Sequence, residues 1–239
     1  GIFEDPNATF ADLYVKSGLY LTEIAKRLNR GLESKIPDKS ERVKHILEKQ
    51  LYGFAPTNII YNIARKYIYG TFSGIDGSNL KQLDLTDAFK KGETLNMKFT
   101  AVVGNPPYQE EQEGDNKTFA PPIYNKFMDA AYEVAERVEL IHPARFLFDA
   151  GSTPKAWNEK MLNDVHFKVL YYEPDSSVIF PTTDIKGGVV ISYRDSEKDF
   201  GAIRVFTKYE ELRSMLHKIR EVKPLSDIVF SRTAYRLTE

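Results

Sequence analysis

The chain has 239 residues, 42% hydrophobic and 13% aromatic, enough for one large domain or two small ones around a real core. It balances 33 Lys and Arg against 34 Asp and Glu, so it lacks the overall basic excess of a protein that grips nucleic acid unaided; a basic face or a partner must supply that grip. Cysteine is absent, which excludes disulfides and thiolate zinc sites and fits a cytoplasmic protein, and no apolar run approaches the roughly 18–20 residues of a membrane span.

The opening Gly-Ile-Phe-Glu-Asp-Pro is neither basic nor continuously apolar, unlike a secretory leader. With no initiator Met, the sequence reads as a piece of a longer protein. Residues 10–14 are a short apolar run containing Asp12. Over 19–28, Leu21, Ile24, Ala25 and Leu28 fall at i, i+3, i+4 and i+7, which predicts a helix. Asp38 or Ser40 caps the next helix, leading into 42–50. Residues 51–54 read as a short strand, and Thr57 caps a helix over 59–69. Turn chemistry fills 73–79, ahead of a run over 80–85.

Residues 99–103 are a buried strand, β-branched and aromatic, ended by Gly-Asn-Pro-Pro. A helix follows over 123–135, then a strand over 138–141 with His142 and Pro143 after it. A helix at 157–163 and a strand at 165–173 come next. Residues 178–181 and 189–193 look like antiparallel strands around a loop at 182–188, and 209–220 forms a last amphipathic helix. Repeats and low-complexity tracts are absent. The alternation predicts an α/β fold, a mostly parallel sheet with helices on both faces and an antiparallel hairpin at one edge. Ligands of such sheets sit beyond the carboxyl ends of the strands. There the segments 12–18 and 105–108 are candidate halves of one site.

Asn105, Pro106, Pro107 and Tyr108 carry the sharpest chemistry. An exocyclic amine on an aromatic ring is a poor nucleophile until its nitrogen becomes tetrahedral, and acceptors aimed at its two N–H groups favour that change. The Asn105 amide oxygen and the Pro106 carbonyl can be those acceptors, since both prolines fix their own φ and extend the residue before each. A base must leave its duplex to be reached, and the Tyr108 ring returns roughly 1–3 kcal/mol by stacking. The bland alternative is a Pro-Pro turn at a strand end; the preceding buried strand and the following aromatic weigh against it.

With these residues in place, the chain resembles the gamma-class N6-adenine DNA methyltransferases, most closely the methylase region of type IIG restriction–modification enzymes. The resemblance spans roughly residues 10–195 and implies a Rossmann-like class I methyltransferase fold. Asp12-Leu-Tyr-Val-Lys-Ser-Gly18 resembles the first, cofactor-binding motif, which assigns Asp12, Ser17 and Gly18 to S-adenosylmethionine. It departs from that motif at Leu13 and at Lys16, where the family has Pro and Gly. Ala55 stands at the acidic position of the second motif. Asp84 resembles the acid that meets the cofactor's adenine; Asp87 competes with it, and either could cap the next helix. Phe180, in a Phe-Pro before a hairpin, would be the second aromatic against the flipped base. Lys186 beside Gly187 and Gly188 could touch a phosphate or be a solvated hairpin tip. His142 is left out of the catalytic set, because the mechanism needs no side-chain base.

The resemblance thus implies a methyltransferase domain over 1–200, with 201–239 a connector towards a target-recognition region. Its activity would be N6-adenine methylation of double-stranded DNA in a restriction–modification system, with a restriction or specificity region as partner. RNA adenine or protein glutamine methylation, and a non-catalytic DNA- or partner-binding module, remain the alternatives.

Overall fold

The computed structural model describes residues 1–110, 120–209, 211, 212 and 215. Gly1–Val205 forms one compact unit and Phe206–Glu239 a second. The helix expected over 209–220 and most of the 201–239 connector lie outside the described residues.

Seven strands build one sheet in the order β3-β2-β1-β4-β5-β7-β6. They are β1 (Phe10–Asp12), β2 (Leu51–Ala55), β3 (Leu80–Gln82), β4 (Phe99–Gly104), β5 (Ala135–Pro143), β6 (Phe167–Glu173) and β7 (Val189–Asp195). The first five are parallel, whereas β7 runs antiparallel between β5 and β6. Successive connections run outward from β1 to β2 and β3, then return to β4 on the other side. The carboxyl ends of β1 and β4 therefore flank the point where strand order reverses, the crevice in which open α/β sheets bind ligands.

Helices α1 (Leu19–Gly31), α2 (Lys39–His45), α3 (Asn58–Tyr69), α4 (Thr86–Lys90), α5 (Tyr124–Val134) and α6 (Lys155–Asn163) cover the sheet. The periodic residues of α1, Leu21, Ile24 and Leu28, are its buried ones and join Phe10, Leu51, Ala64, Ile68 and Leu80 in one core cluster. Asp38 and Thr57 cap α2 and α3 by accepting from Glu41 N and Ile60 N, which fixes the capping choice left open above. After His45 the chain continues as a π-turn, Ile46–Gln50, where a continuous α-helix was expected. Beyond β4 the core is aromatic. Phe89 meets Phe127 edge-on at 4.9 Å, and Phe146 meets Trp157 at 5.1 Å. Each such side chain contributes about 1.5–3 kcal/mol by burial.

The edge hairpin differs from the expected one. The strand expected over 178–181 does not form: Ser176–Val178 is a single 3-10 turn, and β7 pairs instead with β6 and β5. Local polar bonds explain why. Asp175 accepts from Ser177 N, while Ser176 Oγ donates to the Thr183 carbonyl and accepts from Ile185 N, folding the segment on itself. Pro181 then has no N–H to offer a ladder.

His142 lies fully buried on β5, stacked on Tyr124 with centroids 5.8 Å apart. Its Nδ1 is 3.1 Å from the Pro143 carbonyl, which only accepts, so Nδ1 carries the proton and Nε2 accepts from Ser192 Oγ at 2.7 Å. Burial lowers its pKa to about 4. A folded-state pKa below that of the unfolded chain gives stability that is full above the unfolded value and lost as pH falls through the window between them. Chemical unfolding should therefore show His142→Gln losing about 2 kcal/mol less stability than wild type between pH 7 and pH 4.5.

Candidate functional site

One half of the candidate site begins where β1 ends. Asp12 is 2% exposed, and its Oδ1 accepts from Tyr14 N at 3.0 Å. The carboxylate lies so close to β4 that a Cβ on Gly104 would come 2.9 Å from Oδ1. Burial pushes its pKa up to about 7, opposed by the Tyr14 amide and the Lys16 ammonium. Lys16 in turn is held below its ordinary value by partial desolvation, against the pull of Asp12. Among the described residues Asp12 has no ion pair at contact distance. Asp12 is thus a buried acid short of a cation.

Gly18 starts α1 with φ +87°, and a Cβ there would meet Ile68 at 2.9 Å, so this turn admits only glycine. No side chain caps α1, so the amides of its first turn lack a side-chain partner, beside the exposed Ser17. Ala55, fully buried at the end of β2, presents a methyl group where an acid was expected, and its carbonyl accepts from Leu83 N. Asp84 lies past the end of β3, two strands away from β1. It is exposed, and its Oδ1 accepts from Thr86 N at 2.9 Å ahead of α4.

The other half begins where β4 ends. Asn105 is 8% exposed, and its Oδ1 has no hydrogen-bond partner among the described residues. A buried acceptor left unpaired costs about 1–3 kcal/mol, so this oxygen is set for an N–H that the fold does not supply. Pro106 is buried beside it, and Asp12, Gly104, Asn105 and Pro106 line one small cleft. Tyr108 is anchored from behind, since its carbonyl accepts from Ile123 N at 3.1 Å, just before α5. Burial, with Tyr20 nearby, raises the Tyr108 pKa, and the Asn105 amide opposes the rise. The Phe180 ring meets that of Tyr108 edge-on, with centroids 6.3 Å apart. Lys16, Asn105, Pro106, Pro107, Tyr108 and Phe180 line a cavity of about 220 Å³.

The structure therefore brings together Asp12, Asn105, Pro106, Tyr108 and Phe180, puts Gly18 at the head of the adjoining helix, and places Asp84 past the end of β3, two strands from β1. Sequence reasoning treated Lys16 only as a departure from a motif, yet it lines the same cavity as Asn105; its position in the turn after β1 was the available signal. Lys186 lines a second cavity beside Tyr108. Among the described residues, no group of three or more His, Cys, Asp or Glu is placed to hold a metal ion.

Residues 38–180 match the family model described as Eco57I restriction-modification methylase. An uncharacterized adenine-specific methylase of Mycoplasma pneumoniae (strain ATCC 29342 / M129 / Subtype 1) is 22% identical over 254 residues, covering 79% of this chain and 60% of its own length. This chain thus spans less than two thirds of that relative. Among solved structures, a nuclease-deletion mutant of the type ISP restriction–modification enzyme LlaGI, in complex with a DNA substrate mimic, aligns with a TM-score of 0.61 at 13% identity, over 83% of this chain and 21% of that one. The M protein of the type I restriction enzyme EcoKI aligns at 0.55 and 14% identity, over 85% of this chain and 44% of that one. At these identities the likeness is one of fold: the sheet is the Rossmann-like one of restriction–modification methyltransferases.

The position of Asp12 gives a test. A carboxyl group with its folded-state pKa raised contributes stability at low pH that is lost as pH rises from the unfolded value towards 7. Asp12→Asn keeps an oxygen for Tyr14 N and removes the charge. In urea unfolding it should stabilise the protein by about 2 kcal/mol more at pH 8 than at pH 5.

Proposed function

The chain belongs to the Eco57I restriction-modification methylase family, and we propose that it transfers a methyl group from S-adenosylmethionine to the exocyclic N6 of an adenine flipped out of double-stranded DNA. The observation that carries this reading is the buried, unpaired Asn105 Oδ1 at the end of β4. An acceptor so placed matches an amine N–H, and the Pro106 carbonyl takes the second. Both hydrogen bonds strengthen as the nitrogen becomes tetrahedral and gains positive charge, so they favour the transition state over the ground state. The N6 proton leaves after the new N–C bond forms, by which time the nitrogen is acidic enough to need no side-chain base.

Tyr108 and Phe180 are the aromatic walls for the extruded base, with Pro106 and Pro107 holding the loop extended between them and β4. S-adenosylmethionine supplies an electrophilic methyl group on a sulfonium centre. The residues fit a cationic donor: Asp12 is a buried acid short of a counter-charge, and α1 starts close by it at Gly18 without a side-chain cap. Ser17 and Gly18 would face its methionine end and Asp84 its adenine, while the ribose finds no acid at Ala55. Residues 1–200 would then be the catalytic domain, 201–239 leading to a recognition region in the same chain or in a subunit. Cytoplasmic residence accords with this reading; no described helix is long and apolar enough to cross a membrane.

Calorimetry with S-adenosylmethionine, paired with tritiated methyl transfer to plasmid DNA, tests the mechanism. Asn105→Ala should lose at least a hundredfold in transfer, in line with removal of one transition-state hydrogen bond, while binding the cofactor within about twofold of wild type. Transfer that persists in Asn105→Ala would sink the mechanism. Wild type that binds no S-adenosylmethionine would favour a non-catalytic module, the reading to which Lys16 and Ala55 point.

A further inference from the structure

A second cavity, of about 510 Å³, shares Tyr108, Thr183 and Ile185 with the smaller one, so the two meet at the Tyr108 ring. Its wall carries the donors Gln109, Arg145, Ser152 and Lys186 against the single carboxylate of Asp184. We propose that Arg145, with Lys186 beside it, binds a backbone phosphate of DNA next to the nucleotide whose base stacks on Tyr108. This rests on the methyltransferase reading and adds to it a site for the phosphodiester.

Arg145 is held for such a role. It opens the 3-10 turn Arg145–Phe148 directly after β5, and the buried Phe146 and Leu147 anchor that turn. Ala144 N donates to the Gly188 carbonyl at 3.0 Å, tying the turn to the loop before β7. The arginine stem then lies between two glycines of positive φ. A Cβ on Gly187 would come 2.5 Å from Arg145 Cγ, and one on Gly151 would come 3.3 Å from Arg145 Cβ. Any side chain at Gly187 would push the stem out of its slot. Much of the rotamer entropy that an exposed arginine loses on binding is therefore already lost in the fold.

The guanidinium, by contrast, is uncommitted. Arg42 donates to Asn29 and to the carbonyls of Ile36 and Pro37; Arg137 pairs with Asp195 and Glu197, and Arg194 with Asp164. Arg145 has no acid and no side-chain hydrogen bond among the described residues. A planar, unpaired guanidinium on a held stem suits two oxygens of one phosphate. Geometry supplies the phosphate, because an extruded nucleotide stays bonded to its flanking phosphodiesters. A base on Tyr108 thus brings one to the adjoining cavity.

The test measures binding of the full-length protein to a fluorescein-labelled mixed-sequence duplex across a KCl series, with S-adenosylmethionine affinity by calorimetry. Arg145→Gln, which keeps the packed methylenes, should weaken DNA binding about tenfold and flatten the slope of log K against log salt by about 0.9, the share of one phosphate. Its DNA KM should rise with little change in kcat and none in cofactor affinity. Arg145→Lys should keep the slope but recover only part of the affinity, and Gly187→Ala should weaken binding with the charge still present. An unchanged slope and KM in an Arg145→Gln protein that melts like wild type and binds the cofactor would overturn the Arg145 assignment alone. A wild type that binds no S-adenosylmethionine would remove the methyltransferase reading and this proposal together.

Discussion

The site depends on one strand pairing. β1 and β4 lie side by side and parallel, with Phe10 opposite Ala101 and Ala11 opposite Val102. The pair is locked at its amino-terminal end, where Thr9 N donates to Thr100 Oγ1 and Thr100 N to Thr9 Oγ1. Nearly 90 residues of chain separate the two strands, so nothing local holds Asp12 beside Asn105. A slip of one residue would turn every side chain of β1 to the other face of the sheet. The buried Phe10 and Ala11 oppose such a slip, since both faces of this sheet are packed.

What the pairing brings together is costly. Asp12 is an acid without an ion pair, and Asn105 Oδ1 an acceptor without a donor, among the described residues. Groups of this kind lower stability by about 1–3 kcal/mol each. The neighbouring aromatic core offsets the strain, since Phe127 lines the cleft under Asp12 and packs edge-on against both Phe89 and Tyr14. A destabilised polar cleft on a rigid apolar floor is the arrangement expected where binding energy is to be released on contact with a ligand rather than during folding.

The sequence makes the central parallel strand legible because a strand buried on both faces is rich in apolar and β-branched residues, as 99–103 is, with Thr100 its one polar side chain. The caps at Asp38 and Thr57 were legible for a similarly local reason. The loop after β4 was legible because two prolines leave the backbone few conformations. The strand expected over 178–181 fails for a local reason. Val178-Ile-Phe-Pro reads as a strand by composition, but Asp175 and Ser176 satisfy the local backbone first, and pairing goes to β6. Asp84, which the sequence offered either to the cofactor or to the next helix, accepts from Thr86 N, a bond that does not choose between the two. The slot around Arg145 is invisible in sequence, since it forms from Gly151 and Gly187, which no periodicity links.

The charge balance also looks different once the pairs are placed. Thirty-three basic against 34 acidic residues argued against unaided DNA binding. Yet several basic groups are spent inside the fold: Arg42 on carbonyls, Arg137 on two carboxylates, Arg194 on Asp164, Lys90 on Glu110 and Lys160 on Asp129. Each acid so paired is neutralised as well, so a field near the site is set by whatever stays unpaired there. Among the described residues that line the cavities around Tyr108, these are Lys16 in the smaller one, and Arg145 and Lys186, against Asp184, in the larger. A Debye length of about 8 Å at physiological salt makes these neighbours count for more than the sum over the chain. Net charge is therefore a sum over the chain that averages this local field away. It does not decide whether the pocket beside Tyr108 can hold a phosphate.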